Sequence, residues 1–96
     1  MRVVLRPAAE TDLEHAAAWY EQQRSGLGSD FMDAVRERLR GIHENPQAYP
    51  VVFKTVRRAL LHGFPYGLFY VTEPDRIVVI GCFHARQSPR RWTKRS

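Results

Sequence analysis

The chain has a single cysteine, Cys82, in 96 residues. No disulfide framework can be drawn within it, and a lone Cys inside an apolar run is expected to be a buried, unreactive thiol. No apolar run approaches the roughly 20 residues that a membrane helix needs. The opening MRVVLRPAAE has neither the apolar core nor the small-residue cleavage site of a signal peptide. The expectation is a cytoplasmic protein with no membrane contact. The four histidines, His15, His43, His62 and His84, show no metal-ligand spacing, and one cysteine does not complete a set. The short GLG stretch at 26–28 joins two helical segments and lacks the lysine of a phosphate loop. No metal and no cofactor are therefore expected.

Acids are scarce after residue 50. Residues 51–96 carry nine Lys and Arg against Glu73 and Asp75, a balance of +7, whereas residues 1–50 stand at −2. Such asymmetry points to an acidic partner for the second half, either nucleic acid or an acidic protein, unless the arginines are simply a solvated surface. What is present is globular in character, with 44% hydrophobic and 26% charged residues. The length suits one domain, residues 1–96.

The chain reads as a short strand over about residues 2–6, then two helices, then a meander. In the first helix Leu13, Ala16, Ala17 and Tyr20 recur at helical spacing, with Trp19 beside them. Glu10, Asp12 and Glu14 form an acidic first turn, read as solvated. In the second, Phe31, Val35, Leu39 and Ile42 make one apolar face, Ser29 is the expected N-cap, and Asn45–Pro46 ends the helix. VVFKTVRRALL supplies one or two strands up to Leu61, YGLFYVT another, and RIVVIGCFH the last. Ser88 and Pro89 open a short terminal helix. The fold class is α+β, in the order β-α-α-β-β-β, with the helical hairpin on one face of a mostly antiparallel sheet.

Strict alternation turns Ile77, Val79 and Phe83 one way and Val78, Ile80 and Cys82 the other. Both faces are then apolar. One hairpin covers one face, so a partner or a second copy is expected on the other, unless the chain's own termini fill it. For chemistry, His84 could serve as base or acid, and Arg57, Arg58 and Arg86 could grip phosphate. His84 could equally be a strand-end histidine satisfied by the backbone. Trp19 and Tyr20 are expected to pack on the sheet. The cations Arg90, Arg91, Lys94 and Arg95 have no acids in their own segment and read as a contact arm, with Trp92 packing back on the fold.

The segments WYEQQRSGLGSDF, NPQAYP, RRALLHGFPY and HARQSP, in this order and at this length, resemble the RelE/ParE toxin superfamily of type II toxin–antitoxin systems, and within it the ParE-like, plasmid-stabilisation branch. The resemblance runs from Val3 to about Trp92. It implies a toxin that binds and inhibits DNA gyrase and is neutralised by a cognate antitoxin in a hetero-oligomer. The alternative it leaves is a ribosome-dependent endoribonuclease of the RelE type acting on mRNA, with Arg58, His84 and Arg86 as its catalytic groups. A third possibility is a decayed toxin that still binds antitoxin. Gly67 stands where the ribonuclease branch carries a catalytic arginine, and Leu60 where it carries a lysine, so no catalytic residue is favoured. Target contact is expected from Arg57, Arg58, His84, Arg86, Arg90 and Arg91. The antitoxin is expected on an apolar sheet face near Leu68, Tyr70, Val78 and Ile80.

Overall fold

The computed structural model describes residues 1–96. The elements are β1 (Arg2–Leu5), α1 (Pro7–Gln23), α2 (Leu27–Glu44), β2 (Val51–Phe53), β3 (Val56–Leu60), β4 (Tyr66–Thr72), β5 (Arg76–His84) and α3 (Pro89–Thr93). The sheet order is β1-β5-β4-β3-β2. β1 runs parallel to β5, and the other pairs are antiparallel. This is the expected α+β architecture, with VVFKTVRRALL resolved into two strands. No helix is long and apolar enough to cross a membrane.

Pro7 opens α1 because a first-turn residue needs no N–H and its φ is already helical. The join to α2 is built differently from the expectation. Ser29 is not the cap and lies within the first turn. The N-cap is Gly26, at φ 90°, a backbone region that L side chains rarely adopt. The carboxylate of Glu21 in α1 accepts from Gly26 N at 3.0 Å and from Gly28 N at 3.0 Å. A charge on one helix thus satisfies the open N–H groups of the next and sits at the favourable end of its dipole.

The two helices cover one face of the sheet. Leu13, Ala16, Phe31, Val35 and Ile42 meet Ala59, Leu61, Leu68, Tyr70, Ile77, Val79 and Cys82 in a single buried cluster. The opposite face carries Val56, Phe69, Val78, Ile80 and Phe83, packed by Val4, Val52, Val71 and Trp92. Trp92 stacks on Phe69, with ring centroids 5.0 Å apart and planes 27° apart. The chain's own terminal segment therefore covers the second face, the alternative the sequence left to its termini. Ser88 Oγ accepts from Arg90 N at 3.3 Å and Pro89 sits at the first position of α3, as expected.

Strict alternation along β5 fails at one place. Phe69 pairs with Gly81 and Tyr70 with Val79, which leaves Ile80 as an extra, bulged residue. Beyond the bulge the phase reverses. Cys82 joins Ile77 and Val79 under the helices, and Phe83 joins Val78 and Ile80 on the other side. The residues grouped for the antitoxin consequently divide, with Leu68 and Tyr70 beneath the helices and Val78 and Ile80 on the second face. All four are buried.

β1 accompanies β5 only as far as Val79, and Arg6 N donates to Val79 O at 3.0 Å. The edge of β5 beyond that point is finished by side chains. Asp12 Oδ2 accepts from Cys82 N at 2.9 Å, and Arg95 Nη1 donates to Ile80 O at 3.1 Å. Arg95 and Asp12 also form a two-point ion pair with each other. The Arg95 guanidinium lies 4.8 Å from the centroid of the Phe83 ring. Two side chains separated by most of the sequence thus close an edge that would otherwise present unpaired backbone. A Cβ at position 81 would come within 2.5 Å of Phe83 Cε2 and 2.8 Å of Arg95 Nη1, so glycine lets both side chains lie there. Asp12 is accordingly not part of a solvated acidic turn, and Arg95 is not part of a free arm.

Candidate functional site

Arg57 and Arg58 are neighbours in β3 with opposite orientations. Arg57 turns inward to hold the loop after α2. It donates to Tyr49 O at 2.6 Å and to Gln47 Oε1 at 2.8 Å. Tyr70 Oη donates to Pro46 O at 2.8 Å, and Arg38 donates to Tyr49 Oη at 3.1 Å and to Leu60 O at 2.7 Å. The NPQAYP and RRALLHGFPY segments are therefore the two halves of one internal brace. Burial pushes the Tyr70 phenol up to about 12, which keeps it a neutral donor.

Arg58 faces the other way. A Cβ on Gly67 would meet its Cγ at 3.1 Å and Leu60 Cδ2 at 3.3 Å, so these three share the second face. Arg58 Nε is buried without a hydrogen-bond partner.

His84 ends β5 on the helix side of the sheet, opposite Tyr66 in β4 and edge-on to its ring at 5.2 Å. Its imidazole Nδ1 accepts from Arg86 N at 3.0 Å, so in the neutral ring the proton stays on Nε2. Its backbone N donates to Gln87 Oε1 at 2.7 Å. His84 lines a hollow of about 340 Å³ with Asp12, His15, Trp19, Tyr66 and Arg91. A second hollow of about 370 Å³ adjoins it, walled by Trp19, Tyr20, Pro65, Tyr66 and His84. Trp19 does not pack on the sheet as expected. It stands 53% exposed, edge-on to Tyr20 at 5.1 Å, and forms a wall of both hollows. Helical spacing placed it beside the apolar stripe, which was the one available signal that it would be open.

Burial raises both the Tyr66 and the Tyr20 phenols, and burial with the Asp12 charge pushes the Cys82 thiol up to about 12. The hollow thus holds neutral phenols and a protonated thiol, which donate hydrogen bonds or stack but do not act as nucleophiles. Arg86, Arg90 and Arg91 are exposed along the turn and α3 and take part in none of the four ion pairs. The structure therefore brings His84, Arg86 and Arg91 together at one end of the sheet. Arg58 is across the sheet from His84, and Arg57 is committed to the loop brace.

The model of the family described as "ParE toxin of type II toxin-antitoxin system, parDE" matches residues 3–89. Among solved structures, a chain from the chromosomal ParDE TA system of P. aeruginosa superposes with a TM-score of 0.67. It is 16% identical, and the alignment covers 88% of this chain and 95% of that one, so the likeness speaks for the fold. No curated protein matches the chain.

Proposed function

The chain belongs to the ParE toxin family of type II toxin–antitoxin systems, and from that membership we propose that it binds and inhibits DNA gyrase and is neutralised by a cognate antitoxin in a hetero-oligomer. The observation that carries this reading is the division of the cations. Arg86, Arg90 and Arg91 form an exposed, unpaired ridge beside His84. The groups that RNA cleavage would have to combine, Arg58 and His84, stand on opposite faces of the sheet. Gly67 and Leu60 add no cation near Arg58. An exposed ridge of arginines favours docking on a charged surface, with fast association and marked salt dependence. The set Arg58, His84 and Arg86 therefore does not converge on one phosphorane, as stabilising its charge would require, which supports binding over cleavage.

The antitoxin, on this reading, covers what the chain leaves open. Leu60 is 47% and Val51 51% exposed at the β2–β3 side. β2 is also an outer strand of the sheet, able to accept an added strand.

The test is induction of the protein in growing cells, with supercoiling and translation assayed side by side. Wild type is expected to halt growth and supercoiling and to leave message intact. Replacing Arg86, Arg90 and Arg91 by Ala is expected to abolish toxicity while leaving the melting temperature nearly unchanged, because all three are exposed. Codon-positioned cleavage of mRNA by the wild type, lost in His84→Ala, would overturn the proposal.

A further inference from the structure

The two hollows at His84 differ in lining, and they share Trp19, Tyr66 and His84. The first is rich in donors. His84 Nε2–H is available because Nδ1 is occupied by Arg86 N. The Gln87 amide nitrogen is available because its oxygen is occupied by His84 N. Arg91 has no ion-pair partner, and His15 on α1 completes the rim. The Asp12 carboxylate also lines this hollow, but its oxygens are taken by Arg95 and Cys82 N. The second hollow has an aromatic floor, where Trp19 lies edge-on to Tyr20 and Tyr20 edge-on to Tyr66 of β4 at 6.0 Å, with Pro65 of the preceding turn beside them.

We infer that this two-lobed cleft is a nucleotide site, with the planar base against the exposed Trp19 and the phosphate among the donors. An exposed tryptophan suits stacking on a base, which is tolerant of base identity. A phosphate presents enough oxygens to use several donors at once, and Arg91 meets it in charge-assisted fashion. Each hollow lies at the small end of ligand-site volumes.

The backbone argues against a peptide in the same place. A peptide added as a strand binds through main-chain hydrogen bonds. Here the N–H groups of His84, Ala85, Arg86 and Gln87 are all spent, on Gln87 Oε1, Pro65 O, His84 Nδ1 and His84 O respectively. Recognition is left to side chains, that is, to stacking and charge. The inference goes beyond the gyrase reading and shares Arg91 with its ridge, whereas Trp19 takes no part in that ridge, so AMP binding by Trp19→Ala and toxicity report on the two readings separately.

The experiment measures binding of AMP, of adenosine and of a single-stranded hexauridylate to the full chain by calorimetry. Quenching of Trp19 emission serves as the second readout. Trp92 is stacked on Phe69 across the sheet and supplies a constant background. Saturable binding of AMP is expected, with adenosine at least about tenfold weaker and Trp19→Ala lowering affinity for AMP about tenfold or more. Arg91→Ala should remove the preference for AMP over adenosine. His84→Asn keeps an acceptor for Arg86 N but deletes the Nε2 donor, and should weaken AMP while leaving the melting temperature in place. If the hexamer binds more tightly than AMP and with a steep salt dependence, the nucleotide is drawn from a strand. If the two are equal, it is a free nucleotide. Equal affinity for adenosine and AMP, an unchanged affinity in Trp19→Ala, displacement by an acidic peptide as effective as AMP, or no binding up to millimolar concentration would each overturn the inference.

Discussion

The two faces of the sheet are buried by unlike means. Under the helices, two long elements contribute a broad apolar surface, and thirteen buried residues form one cluster. On the other face, five buried residues are covered by a helix of five residues, one tryptophan ring and one arginine. The first face is held by area, and many small contributions add up there. The second depends on a few contacts, so each contact carries a larger share. A sheet with two apolar faces thus needs neither a second layer of helices nor a permanent partner, provided a short segment places the right side chains on it.

The largest expected effect breaks the first face. Phe31→Ala, at a fully buried site packed by Tyr20, Phe64 and Tyr66, should lower unfolding free energy by about 3–5 kcal/mol in urea titrations. Trp92→Ala on the second face should lower it by about 2 kcal/mol, because its ring keeps part of its surface in water. If Trp92→Ala costs less than about 0.5 kcal/mol, the second face does not depend on single contacts and the contrast is wrong.

A pH titration sharpens the contrast, because the two groups most strongly displaced, Cys82 and Tyr70, both lie under the helices. Burial raises each to about 12, from ordinary values of 9.0 and 10.0. The folded protein holds these protons after the unfolded chain has released them. The associated stability is therefore fully present below about pH 9 and is lost as pH rises toward 12. Each group contributes a slope of up to about 1.4 kcal/mol per pH unit. Cys82→Ala should flatten that slope in unfolding curves taken between pH 9 and 11. An unchanged slope would mean that the thiol is not buried as described.

The smallest effect concerns the clasp. Arg95→Ala should reduce stability by about 1 kcal/mol, since it removes a partly buried ion pair and a donor to Ile80 O. Asp12→Ala should do much the same, and the double mutant should cost little more than either alone. Arg90→Ala, one turn away and unpaired, should change stability by less than about 0.5 kcal/mol. Additive losses in the double mutant would show that Arg95 and Asp12 act separately.

Much of this arrangement is legible in the residues themselves. Periodicity placed both helices and the last two strands, and Ser88–Pro89 marked the start of α3, because those signals are local. What escaped the sequence was non-local or off-phase. Alternation counts residues and has no means of seeing that Ile80 is surplus, so Cys82 and Phe83 were assigned to each other's faces. Ser29 looks like a cap, but the carboxylate that caps α2 comes from Glu21 in the neighbouring helix. The union of Asp12 with Arg95 spans 83 positions, and nothing in either segment announces it. At the candidate site, the grouping of His84 with Arg86 could be read from their spacing. The contribution of Trp19 and His15 could not, because it depends on where α1 crosses the end of β5.

β1 has a single neighbour in the sheet, β5, and it is met in parallel. β1 therefore waits for β5, which is made later. At synthesis rates of about 5–20 residues per second, the roughly 70 residues between them take several seconds to appear. During that time β1 has no ladder to join, while the hairpin of α1 and α2 can form from local contacts alone. Such long-range closure slows folding. The ridge of arginines and the edge finished by Asp12 and Arg95 come into being only after β5 and α3 have been made. A nascent chain cut short before β5 would leave helices without a sheet to cover, and no assembled toxin.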